Sequence, residues 1–105
     1  MRTLIFIFSN TCGHCTKYLT NMSKFVKNYC SSKNIIYKEI SVDEARKMGF
    51  KISHVPILLY ILDNNINIFS GNYRKSNDKI EITYALKNNE NIDNKEDIIN
   101  FISKQ

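Results

Sequence analysis

Apolar positions along this chain keep switching period, and each switch marks an element. "TLIFIF" (3–8) is apolar almost throughout, the pattern of a strand buried on both faces. Beyond it Tyr18, Leu19, Met22, Phe25, Val26, Tyr29 and Cys30 recur at three- and four-residue steps between lysines and asparagines, which predicts one long amphipathic helix. "NIIYKEI" (34–40) predicts a second strand and "ILLYIL" (57–62) a third, buried one. Between them a short helix is expected over 43–48, with Asp43 as its N-cap and Gly49 as its stop. Asp63-Asn64-Asn65 predicts a hairpin turn that returns through "INIF" (66–69). "NKEDIINFISK" (94–104) closes the chain as an amphipathic helix, with Ile98, Ile99 and Ile102 on one face and Asn94/Asp97 as a cap pair.

One stretch points both ways. Ile80, Ile82, Tyr84 and Leu86 alternate like a strand face, whereas Asp78 and Glu81 have the spacing of a helix cap. Its place before the last helix tips the expectation to a helix over 79–87. "NNENIDN" (88–94) predicts a polar loop.

Composition narrows the function classes. A length of 105 residues suits one domain, spanning 1–105. The formal charge is +5, yet the basic residues are scattered, with no run longer than Arg46-Lys47 or Arg74-Lys75. A nucleic-acid reader would gather them with aromatics on one face. The bias to 12 Lys, 14 Asn and 16 Ile has the look of AT-rich coding, so no nucleic-acid partner is expected. Leu4 to Phe8 is too short for a signal core or a membrane span, and "ISKQ" at the end is not a retention signal. The expected setting is therefore cytoplasmic, with no membrane partner. There thiols are mostly reduced, and a close cysteine pair reads as metal-binding or redox-active before it reads as a staple.

That pair is in "NTCGHC" (10–15), directly after the first strand. A loop leaving a buried strand puts Cys12 at the N-terminal end of the next helix, where free N–H groups and the helix dipole stabilise a thiolate. Cys15, one turn on, is within disulfide reach. Cys12 would attack a target disulfide and Cys15 would resolve the mixed disulfide. Gly13 lets the backbone turn. His14, beside both sulfurs, would favour the thiolate and so make the pair a better oxidant. A mononuclear metal site needs two more ligands, drawn from His14, Cys30 and His54. Cys30 would lie roughly 22 Å along the same helix, at about 1.5 Å per residue, so no metal is expected there. Cys30 reads as a core residue.

The one proline, Pro56, stands at the start of a buried strand, and Val55-Pro56 is a candidate cis bond. With "CGHC" after a buried strand and "GFKISHVP" some forty residues on, followed by a strand hairpin, the chain resembles the thioredoxin superfamily from Thr3 to Gly71. The resemblance implies an α/β thioredoxin fold, a central mixed sheet of about four strands flanked by helices. It also implies a cis-Pro56 loop facing the Cys12–Cys15 pair, with the Val55 backbone pairing with an extended substrate. CGHC is similar to the protein disulfide isomerase tetrad. Departures are Thr11 for the usual Trp before the first cysteine, Phe6 for the buried acid, Ile57 for the Thr after the proline, and a long segment 72–93. "SGNYRKSND" lacks the Gly-Gly and prompt acidic turn of a glutathione site.

The expected function is thiol–disulfide oxidoreductase, with protein thiols or disulfides and a separate redox protein as partners. No cofactor beyond the redox-active Cys12–Cys15 disulfide and a monomeric state are expected. The alternatives are a non-catalytic binding module on the same fold and a dimeric iron–sulfur carrier of glutaredoxin type.

Overall fold

The N-terminal apolar run becomes an interior strand of the sheet. In the computed structural model, which describes residues 1–84 and 91–105, β1 (Arg2–Phe8) lies between β2 (Ile36–Ser41), parallel to it, and β4 (Ile57–Leu62), antiparallel. Phe6 sits opposite Glu39 on one side and Leu58 on the other. Such a parallel pair needs a crossover, and two helices supply it: α1 (Gly13–Asn21) and α2 (Ser23–Ser32). The expected single helix is thus divided at Met22 (φ −117°), whose side chain remains buried, so the apolar stripe continues across the break.

α3 (Val42–Lys47) starts earlier than its sequence suggests. Its N-cap is Ser41, not Asp43: Ser41 Oγ accepts the Glu44 N–H at 3.2 Å while Glu44 Oε1 accepts the Ser41 N–H, a full capping box. Gly49 ends it with φ +100°, where a side chain would be strained. A two-residue strand that the sequence did not announce, β3 (Phe50–Lys51), follows. β4 then turns at Asp63-Asn64 into β5 (Asn65–Ile68).

The larger correction concerns what comes next. Among the described residues the sheet has seven strands, in the order β2-β1-β4-β5-β6-β7-β3, instead of about four. β6 (Gly71–Ser76) and β7 (Lys79–Tyr84) form a hairpin where a helix was expected, so the alternation of Ile80 and Ile82 outweighs the Asp78/Glu81 cap spacing. Asn77 and Asp78 both adopt positive φ and make the turn. β7 runs on to pair with β3 in parallel, Phe50 opposite Ile80 and Lys51 opposite Glu81, which curls the sheet. Residues 85–87 of the expected 79–87 element, and 88–90 of the 88–94 loop, fall outside the described residues. α4 (Lys95–Ser103) begins as expected, with Asn94 Oδ1 accepting the Asp97 N–H at 3.0 Å.

Alternation along the central strands sorts the core into two faces. Leu4, Phe6, Leu58 and Tyr60 meet Cys15, Tyr18, Val26, Cys30 and Ile98 on the helical side. Ile5, Ile7, Ile57 and Leu59 meet Ala45, Phe50, Ile52 and Ile82 on the other. There the β6–β7 hairpin and α3 close the face. The β6–β7 part of segment 72–93 is therefore a structural wall: Ile82 is 2% exposed, and burying such a side chain is worth about 1.5–3 kcal/mol.

Candidate functional site

The chain leaves β1 and reaches its cysteines within four residues. Ser9 turns it: its carbonyl accepts the Cys12 N–H at 3.2 Å and its Oγ meets Thr11 Oγ1 at 3.2 Å. Cys12 then caps α1 in extended conformation, and its sulfur accepts the Cys15 N–H at 3.1 Å. A helix N-terminus offering a backbone donor to sulfur stabilises negative charge on it. The two cysteines are joined as a disulfide, Cα to Cα 5.2 Å. Their exposure differs: Cys12 is half-buried, and Cys15 is wholly buried in the helical-side core. Only one of the two sulfurs is therefore within reach of an incoming chain.

Gly13 is not required by space. A Cβ there would meet nothing within 4 Å, and the backbone is not left-handed. Gly13 leaves that turn free of a side chain and keeps the surface next to Cys12 open. His14 is exposed on the first turn of α1.

A groove of about 390 Å³ opens at the start of α1, lined by His14 from α1, His54, Val55 and Pro56 from the loop before β4, Leu58 of β4, Phe69 and Ser70 from the turn between β5 and β6, and Asn91 and Ile92 from the segment before α4. The Val55–Pro56 bond is cis. The structure thus gathers His14, Val55 and Pro56, about forty residues apart in sequence, at one place. It adds two elements the sequence did not single out for the site. His54 lines the same groove, its Nδ1 3.2 Å from Ser53 Oγ. The Asn91–Ile92 wall is held by Asp97, whose carboxylate accepts the Asn91 N–H at 2.9 Å, and by an ion pair between Asp93 and Lys17 of α1 at 3.4 Å. The only advance signal for that wall was the cap pair at 94 and 97.

Where the resemblance places a buried acid, Phe6 stacks on Tyr18. The Tyr18 hydroxyl meets that of Tyr37 at 2.9 Å, and Tyr37 donates to Glu39 at 2.6 Å. Burial holds the Tyr18 and Tyr37 hydroxyls above the ordinary tyrosine range. Cys30 is buried on α2, and desolvation pushes its thiol up to about 11. Among the described residues no three His, Cys, Asp or Glu side chains converge as metal ligands would. Among them also, no helix is long and apolar enough to cross a membrane.

No protein-family model and no curated protein matches this chain. Among solved structures it is similar to a malarial protein (TM-score 0.59, 18% identity) over 99% of this chain and 96% of that one. It is also similar to a thioredoxin of Trichomonas vaginalis, with TM-score 0.45 and 20% identity, over 64% of this chain and 61% of that one. Likeness at such identity speaks to fold alone. The described residues form a mixed α/β protein with a seven-stranded sheet that carries a bonded Cys-x-x-Cys pair at a helix N-terminus.

Proposed function

We propose that this chain is a thiol–disulfide oxidoreductase that exchanges disulfides with protein substrates through Cys12 and Cys15. The observation that carries the reading is the asymmetry of the pair: a half-exposed Cys12 sulfur at a helix N-terminus, bonded to a fully buried Cys15. In the reducing direction the Cys12 thiolate attacks one sulfur of a substrate disulfide. That S–S bond breaks, and the departing sulfur leaves as a thiolate that takes up a proton. Cys15 then loses its proton and attacks Cys12, releasing the second substrate thiolate. Two electrons have passed from the pair to the substrate, and the Cys12–Cys15 bond has formed. Oxidation is the reverse.

Val55 and Pro56 line the groove at the start of α1, and on this reading the Val55 backbone steadies the extended substrate. His14 stabilises the thiolate and draws the potential above the about −270 mV of thioredoxin. Partners are protein thiols and disulfides, with a separate redox protein supplying or accepting electrons; no other cofactor is invoked.

Insulin reduction with dithiothreitol as electron source tests the reading. Wild type should accelerate it, and Cys12→Ser should abolish the acceleration; equal rates for the two would sink the proposal. Visible absorbance in freshly purified protein would replace it with the cluster carrier.

A further inference from the structure

The loop that carries His54 and Val55 needs two anchors, and only one is obvious. Its downstream end enters β4, an interior strand of the sheet. Its upstream end leaves β3, a strand of two residues preceded by a left-handed glycine. Two strand residues alone do not hold a position.

Three groups of contacts hold β3, and two of them come from the β6–β7 hairpin, some thirty residues later. The first is backbone: β7 pairs with Phe50 and Lys51, and Ile80 donates its N–H to the Gly49 carbonyl at 2.9 Å. The second is the Glu81 carboxylate, 21% exposed, which takes Arg74 of β6 at 2.8 Å and Lys51 of β3 at 3.6 Å. Arg74 lies directly across the hairpin from Glu81, so one acid links β6, β7 and β3. The third is local: the Arg46 guanidinium of α3 donates to the Ile52 carbonyl at 3.1 Å. Lys51 is followed at once by Ile52, buried beside Ile82, and then by the groove residues.

We infer that the β6–β7 hairpin is the positioning device of the substrate loop, with Glu81 as a positioning residue that sets where His54 and Val55 stand relative to Cys12. This rests on the redox reading above and extends it. The reactive pair and the loop are supported from opposite faces of the sheet. Cys15 belongs to the helical-side core, and Phe50, Ile52 and Ile82 belong to the other. Val55 packs against both. Disturbing the hairpin therefore moves one half of the site and leaves the chemistry of the other half alone.

The test compares wild type, Glu81→Gln and Lys51→Met on two substrates: insulin, which must lie along the loop, and a small aromatic disulfide that needs only the Cys12 sulfur. The expected result is a KM for insulin raised about two- to fivefold, the range a partly exposed ion pair can move. The insulin kcat, the rate on the small disulfide and the reduction potential should stay at wild-type values. Unchanged insulin KM in both variants, or losses on both substrates that merely follow a lowered melting temperature, would overturn the inference. A wild type inactive on both substrates would instead overturn the oxidoreductase reading.

Discussion

Phe6 and Tyr18 stack nearly parallel, ring centroids 3.7 Å apart, and both are fully buried. β1 and the helix bearing Cys15 are thus joined by an aromatic pair where the resemblance implies a carboxylate. Phe6→Ala should cost about 3–5 kcal/mol, from lost transfer energy, a residual cavity and the lost ring pair. Urea unfolding followed by circular dichroism measures it. A loss below about 1 kcal/mol would mean that the ring is not the keystone its burial indicates.

The Tyr18–Tyr37–Glu39 chain predicts an alkaline limit to stability. Both hydroxyls ionise later in the fold than in the unfolded chain, because burial opposes their charge. Their contribution is complete below the unfolded value of about 10 and is lost as pH climbs above it toward the folded values. Melting temperature should therefore fall above about pH 10, and the fall should be shallower in a Tyr18→Phe, Tyr37→Phe double variant. Tyrosinate absorbance should show Tyr18 and Tyr37 ionising only as the fold is lost, a phase absent from the double variant.

Thiol counting separates the three cysteines. After mild reduction the folded protein should expose Cys12, and not the fully buried Cys15, to an alkylating reagent near neutral pH. Cys30, fully buried with its thiol raised to about 11 by desolvation, should react only in denaturant. Mass spectrometry should find one modification in the native protein and three in the unfolded one.

Two glycines should respond in opposite ways to alanine. At Gly71 a Cβ would stand 2.7 Å from the Thr83 carbonyl oxygen and 2.9 Å from Ile68 Cγ2. Gly71→Ala must push the β5–β6 corner apart, at a cost of about 1–3 kcal/mol. At Gly13 the added methyl meets open space, and at the first position of a helix alanine should be neutral or stabilising by up to about 1 kcal/mol. Thermal melts of the two variants compare them directly.

What could be read in advance was whatever local pattern decides. "TLIFIF" and "ILLYIL" had to be buried strands, and they lie beside one another as interior strands of the sheet. Asn94 and Asp97 announced the α4 cap. Asp43, in contrast, was outcompeted by Ser41, because Ser41 has Glu44 at capping-box spacing. The β7 strand misled because its terminal acids mimic a helix cap, while the partner that fixes it, β3, is two residues with no pattern of its own. In the site, the spacing of Cys12 and Cys15 and the proline after Val55 were legible. The convergence of His54 and Ile92 on the same groove was not, since it depends on how distant segments pack.

The sheet order also settles which backbone edges the molecule shows. One margin is β3, too short to seed much pairing, and the other is β2, where exposed Lys38 and Glu39 interrupt the apolar positions. Short margins and charged margins both discourage one copy from adding strands to another. On the function proposed above, such margins among the described residues would guard a protein that lies alongside partly unfolded chains against templating aggregates with them, and would leave strand-like recognition to the groove that Val55 lines.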